Sequence, residues 1–207
     1  MMKPVSFKKK QPYDKETTRS MTKELRRLSR EVESRDRILR LMFQDPLQEF
    51  ALSKVAESAR TSKSTASRII VRLHDEGLVK LIKSRLVWRI SANIGNPNFK
   101  REKILYNLSL VFRSGVIDFL DGVFNRPKSI ILFGSFSKGE DNLDSDIDIA
   151  IEGEVSQIIK MKELEELEKE IGRSISIHLF RRDDVDINLF NSIANGIILS
   201  GFLEVKK

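Results

Sequence analysis

The chain has 207 residues, 40% of them apolar with 12 Phe, and no Cys. That is enough for two small domains with cores of their own, and it excludes a disulfide framework or a thiolate metal site. The net charge of +7 is uneven: residues 1–127 carry 27 Lys and Arg against 14 Asp and Glu, residues 128–207 carry 10 against 16. A basic half beside an acidic half points to nucleic-acid binding by the first. No apolar run approaches the ~20 residues of a membrane span, and the N-terminus lacks the apolar core of a secretion signal. A cytoplasmic protein without a membrane partner is expected.

Residues 1–33 form a basic arm with Pro4, Pro12 and the run Lys8-Lys9-Lys10. Its first half is expected to be disordered. From Thr22, Leu25, Leu28 and Val32 recur at helical spacing and allow a weak helix. The arm either adds phosphate contacts or is a solvated tail, and the tail is the simpler reading.

Residues 34–92 read as a first domain. Ile38, Leu39, Leu41 and Met42 mark a helix that stops before Pro46, and Ser53 is placed to cap a second one carrying Val55, Ala56 and Ala59. After a turn at Arg60-Thr61-Ser62, Ala66, Ile69, Ile70 and Leu73 mark a third helix, closed by Gly77. Val79 to Ile82 and Leu86 to Ile90 read as two strands around the basic tip Lys83-Ser84-Arg85.

This order, with STASRIIVRLHDEGLV in the third helix, resembles the winged helix-turn-helix modules of prokaryotic transcription regulators. The resemblance makes the third helix the recognition helix, with its N-terminal residues toward the bases of double-stranded DNA. Lys63, Ser64, Thr65, Ser67, Arg68 and Arg72 lie away from its apolar stripe. Lys83 and Arg85 would reach the backbone from the wing. A homodimer is the prior for such proteins, because two half-sites are read together. A protein-interaction module is the alternative. His74 is expected at the surface.

Residues 93–127 read as a linker, Asn93 to Asn98, then one long helix from Lys100 to about Phe124. Ile104, Leu108, Val111, Phe112, Phe119, Leu120 and Val123 form its apolar side, and Gly115 is a candidate kink.

The most informative stretch is Ile130 to Ile151, IILFGSFSKGEDNLDSDIDIAI. An apolar strand stops at Gly134-Ser135, a short helix follows, and a second strand alternates Asp146 and Asp148 with Ile147, Ile149 and Ile151. On one strand face the two Asp Cα atoms stand roughly 7 Å apart. Carboxylates that close repel and favour a bound cation, magnesium before others. Gly134 to Gly139 has P-loop spacing, but Glu140 stands where that motif needs Lys. A charged, solvated strand edge would explain Asp144, Asp146 and Asp148 but not the Gly-Ser turn at that distance.

Gly134-Ser135, ten intervening residues and Asp146-Ile147-Asp148 between apolar strands resemble the nucleotidyltransferase superfamily that includes DNA polymerase beta and the minimal nucleotidyltransferases. The resemblance covers about residues 128–207, with the preceding helix open. It implies an α+β protein, a winged helix-turn-helix followed by a polymerase-beta-like α/β domain with a mixed sheet. It implies transfer of a nucleoside monophosphate from a nucleoside triphosphate to a hydroxyl, with Mg2+ or Mn2+. Catalytic and metal-binding roles fall to Asp146 and Asp148, nucleotide binding to Gly134, Ser135 and Lys138. Lys138 is equally a solvent-facing helix residue.

A charged helix, roughly Ser156 to Ile171, should turn Ile158, Met161, Leu164 and Leu167 to the sheet. Ser174 to Phe180 alternates as a strand, and a last helix from Asp184 to Ala194 precedes an apolar tail, Ile197 to Leu199. The family's third carboxylate comes from the strand after the charged helix, where the matching face here holds Ser174, Ser176 and His178. Ser176 is the equivalent position. His178 shares that face, but imidazole is a poor magnesium ligand and a structural His is the simpler reading. Glu152 sits on the Asp face at the strand end. The missing carboxylate leaves a second expectation, a transcription regulator that senses nucleotide without turning it over.

Overall fold

The computed structural model describes residues 15–84, 87–153 and 161–204, the side chains of residues 15–18 and of Met161 excepted. The expectations for Lys8-Lys9-Lys10, for Arg85 and Leu86 in the hairpin, for Ser156 and Ile158, and for the side chain of Met161 lie outside the described residues.

Helix α1 (Lys15–Gln44) is one helix where the sequence suggested two segments. No Gly or Pro interrupts it, and Glu33 pairs with Arg37 one turn on, at 3.3 Å. Strand β1 (Glu49–Ala51), α2 (Leu52–Ser58), α3 (Lys63–Asp75), β2 (Val79–Lys83) and β3 (Trp88–Ala92) follow. The three strands form an antiparallel sheet in the order β1-β3-β2, with Ile90 opposite Phe50 on one side and Leu81 on the other. Strand β1 is too short for periodicity to have shown it. It runs straight into α2, so Ala51 occupies the N-cap without a side-chain bond and Ser53 is exposed inside the helix, not a cap. Ser62 does cap α3, its Oγ accepting from the Thr65 N–H at 3.1 Å. Ile38, Met42, Val55, Ile70, Leu73 and Ile90 are fully buried in one core.

Residues 93–98 are a turn that starts a helix. Asn96 caps α4 (Pro97–Arg113), accepting from the Asn98 N–H at 2.8 Å, and Pro97 takes the first turn, where its missing N–H costs nothing. The single helix expected to Phe124 is two, because Gly115 leaves the helix at φ +77 before α5 (Val116–Val123). The break turns Val116 and Leu120 into the core and leaves Phe112 exposed. Helix α4 belongs to two cores. Phe99 packs on Phe43 of α1, ring centroids 5.3 Å apart, and Val111 packs under the second sheet.

That sheet contains β4 (Ser129–Phe133), β5 (Ile147–Glu152), β6 (Ile175–Phe180) and β7 (Ile197–Gly201) in the order β6-β5-β4-β7. Between them run α6 (Gly134–Lys138), α7 (Met161–Ile171) and α8 (Ile187–Ala194). Only β5 and β6 are parallel, so the sheet is mixed. The apolar tail expected after the last helix is the edge strand β7, paired with β4. One face carries the larger core, with Leu132, Ile147, Ile149 and Ile151 under Val111, Leu120, Phe136 and Leu164. The other holds Ile131, Phe133, Ala150 and Phe180 with Ile193 of α8. Among the described residues no helix is long and apolar enough to cross a membrane.

Four polar side chains join α4 to the loop between α6 and β5. Asp141 is 1% exposed and accepts from Asn107 Nδ2 at 2.7 Å; Lys103 Nζ lies 3.3 Å and Arg173 Nη2 3.6 Å from its Oδ2. Lys103 also donates to the Asp141 carbonyl, Asn107 to the Phe136 carbonyl at 2.8 Å, and Arg173 to the carbonyls of Asn142 and Ser145. Burial pulls the Lys103 ammonium below the ordinary lysine range, against the opposing charge and hydrogen bond of Asp141. Removing one partner of such a buried set leaves charge uncompensated. Asp141→Ala should therefore cost about 3–5 kcal/mol in urea unfolding. Glu140→Ala, which breaks only the exposed pair with Lys100, should cost about 1 kcal/mol or less. Equal losses would refute the hub.

Candidate active site

The site forms where β4 ends. Gly134, at φ +71, turns the chain from Phe133 into α6, and a Cβ there would overlap the Asp148 carboxylate. Glycine is needed twice, for the left-handed backbone and for the space Asp148 fills. Asp148 reaches that space because it lies opposite Phe133 in the β4–β5 register. Ser135 is half-buried in the first turn of α6, and Lys138 is exposed at its end. Ser137 Oγ donates to the Gly134 carbonyl at 2.9 Å and steadies the turn.

Asp146 was expected inside the strand, but β5 begins one residue later, at Ile147, whose N–H donates to the Ser174 carbonyl at 2.9 Å. The exposed Asp146 is still drawn to the same place. Ser176 Oγ donates to its Oδ2 at 3.3 Å, and Ser176 is the partner of Asp148 in the parallel β5–β6 register. Ser176 thus adjoins both carboxylates, one by hydrogen bond and one by register. His178 stands two residues on, its Nε2 3.4 Å from Asp148 Oδ1 and its ring edge-on to Phe133 at 5.0 Å. The alignment does not make a hydrogen bond, so Nε2 has no partner. Glu152 lies at the far end of β5, 3.6 Å from Arg182, and takes no part.

Among the described residues, no group of three or more His, Asp and Glu is placed to hold a metal ion. Two Asp side chains suit one hard cation that completes its shell with phosphate oxygens and water. Ser176 adds a neutral hydroxyl beside them.

On α3, Lys63, Ser64, Arg68 and Arg72 are exposed, and Thr65 and Ser67 are half-buried. Several are already engaged: Arg72 with Glu31, Thr65 Oγ1 with Ser62 Oγ at 3.0 Å, Ser64 Oγ with Ser62 Oγ at 2.9 Å, and Ser67 Oγ with the Ser64 carbonyl at 3.0 Å. Lys63, Ser64 and Arg68 share the open face. Lys83 Nζ, at the end of β2, sits 4.6 Å over the ring of Trp88 at the start of β3. His74 is exposed and meets the Val79 carbonyl at 3.0 Å. Sequence reasoning missed Lys103, Asn107, Asp141 and Arg173. Phe99, Lys103, Asn107 and Val111 recur every four residues on the buried row of α4, and a polar pair inside such a row was the available signal.

Residues 116–202 match the family model described as Polymerase beta, Nucleotidyltransferase. The segment is similar to a nucleotidyltransferase domain. The match begins at α5, within the helical stretch that the motif left open. It contains the Gly134 turn, both carboxylates, Ser176 and His178. No curated protein matches the chain.

The Gly134 contact makes a prediction of sign. Gly134→Ala should destabilise the protein by about 1–3 kcal/mol through backbone strain and displacement of Asp148. Gly122→Ala, in α5 with open space around it, should instead stabilise by about 0.5–1 kcal/mol. Urea unfolding of the two variants distinguishes the cases.

Proposed function

We propose that the chain couples DNA binding to nucleotidyl transfer. The first module is read as a winged helix-turn-helix, with α2, the following turn and α3 as the helix-turn-helix and β2–β3 as the wing. The support is the element order and the exposed Lys63, Ser64 and Arg68 opposite the buried Ala66, Ile69, Ile70 and Leu73. Helix α3 would enter the major groove, with Lys83 and Arg85 on the flanking backbone.

One observation carries the enzymatic reading: the Asp148 carboxylate rests on the Gly134 backbone while Ser176 holds Asp146 beside it. Both carboxylates would then flank a turn that receives phosphates. Ser135 would donate a hydrogen bond to the triphosphate, and Lys138 would supply a point charge. Asp146 and Asp148 would hold magnesium or manganese, which supplies charge neutralisation on the triphosphate and the departing pyrophosphate. The acceptor hydroxyl gives its proton to water, and its oxygen bonds the α-phosphorus as the bond to pyrophosphate breaks.

A second reading has its own observation. Ser176 stands beside Asp148 where this chemistry uses a third carboxylate, which favours a nucleotide-sensing regulator without turnover. Label from α-labelled nucleoside triphosphates, followed with magnesium or manganese into DNA, RNA and protein, separates the two. Transfer by the wild type, lost with Asp146→Asn while duplex DNA binding stays intact, is expected of the enzyme. Nucleotide binding without transfer, with transfer appearing in Ser176→Asp, is expected of the sensor. Nucleotide affinity unchanged by Asp146→Asn contradicts both.

A further inference from the structure

Helices α1 and α3 lie side by side and run in the same sense. Glu31 pairs with Arg72, and four residues on in each segment Arg35 pairs at 2.8 Å with Glu76, the C-cap of α3. Toward their N-termini, α3 stops at Lys63 while α1 continues to Lys15. Between them opens a groove of about 1060 Å³. One wall carries Arg19, Lys23, Arg26 and Arg30, the other Thr65 and Arg68.

The four α1 cations recur at i, i+4, i+7 and i+11, which places them on one helix face. All are exposed, and among the described residues none has an acidic partner. The two carboxylates of the groove are both engaged, Glu24 with Arg27 and Glu31 with Arg72. Like charges spaced this way weaken a helix slightly, and an anion alongside relieves the repulsion. A single small anion would meet one or two of these groups. The row spans about 16 Å at helical rise, which suits a linear polyanion.

A recognition helix in the major groove has a phosphate strand on either side of it. Here one of those flanks is the groove. We propose that it holds the phosphate strand bordering the major groove of duplex DNA, with α1 as a clamp alongside α3. The proposal rests on the DNA-binding reading above. Since a phosphate carries no base information, the clamp adds affinity and salt dependence, not sequence preference.

The test uses the full chain, fluorescently labelled duplex DNA and a salt series. Replacing Arg19, Lys23, Arg26 and Arg30 together by Gln should reduce the slope of log K against log salt by about three to four, ~0.9 for each phosphate that is no longer neutralised. Single Lys23→Gln and Arg26→Gln variants should each reduce it by about one, with circular dichroism unchanged. A preference between duplex sequences should persist in all of them. Wild-type binding with the same slope in every variant overturns the clamp and leaves the DNA reading standing. Failure of the wild type to bind any duplex at low salt overturns both. A charge-dependent loss seen with structured RNA or anionic vesicles, but not with duplex DNA, assigns the groove to another polyanion and overturns the proposal.

Discussion

The buried carboxylate of Asp141 is the constraint on which the arrangement of this chain depends. The loop from Gly139 to Asp146 has little with which to bury itself, and Leu143, its large apolar side chain, is exposed. Polar anchoring is the means left for fixing it. Lys103 and Asn107 come from α4, Arg173 from the segment before β6, and all three converge on Asp141 or on carbonyls of the loop. Desolvating such a set offsets most of its attraction, so its contribution is to position more than to net stability. What it positions is the approach to Asp146. Because α4 also sends Phe99 into the first core and Val111 into the second, the same hub ties the loop to the helix on which both modules rest.

The second constraint is register. A parallel pair with evenly spaced partners brings Ser176 beside Asp148 and His178 beside Ala150, and pleating turns these side chains to one face. That face is the thinner one, covered by α8 over Phe133, Ala150 and Phe180. The opposite face is closed by α5, α6 and α7. Asp146, Asp148 and Ser176 therefore sit at an open end of a rigid sheet, where a polar ligand can reach them. The carboxylate against Gly134 follows from the same register, since Phe133 and Asp148 are partners at the end of β4.

Charge divides the chain along the same line. The acidic half would need a cation to receive a triphosphate, and its two aspartates are the residues that would supply the site. Part of the positive charge of the basic half is ordered, in the row Arg19, Lys23, Arg26 and Arg30 on α1 and in Lys63 and Arg68 on the exposed face of α3. An electrostatic field of that kind favours a partner that is itself an extended array of negative charge.

Much of the fold was legible because its signals are local. The alternation of Asp146 to Ile151, the Gly-Ser turn, the turn at Arg60-Thr61-Ser62 and the apolar row of α3 depend on neighbours within a few residues. Alternation put Ser174, Ser176 and His178 on one face, and the β5–β6 register then set Ser176 opposite Asp148. What tertiary structure decided are the features set by distant partners. Strand β1 exists because β3 lies beside it, and β7 because β4 does. The continuous α1 is held to the core by Ile38 and Met42 and to α3 by two ion pairs, so its length did not follow from its weak N-terminal pattern. The Asp141 hub joins residues up to 38 positions apart, which no local window contains. Residue order determined which side chains share a face; the packing of remote elements determined which faces meet.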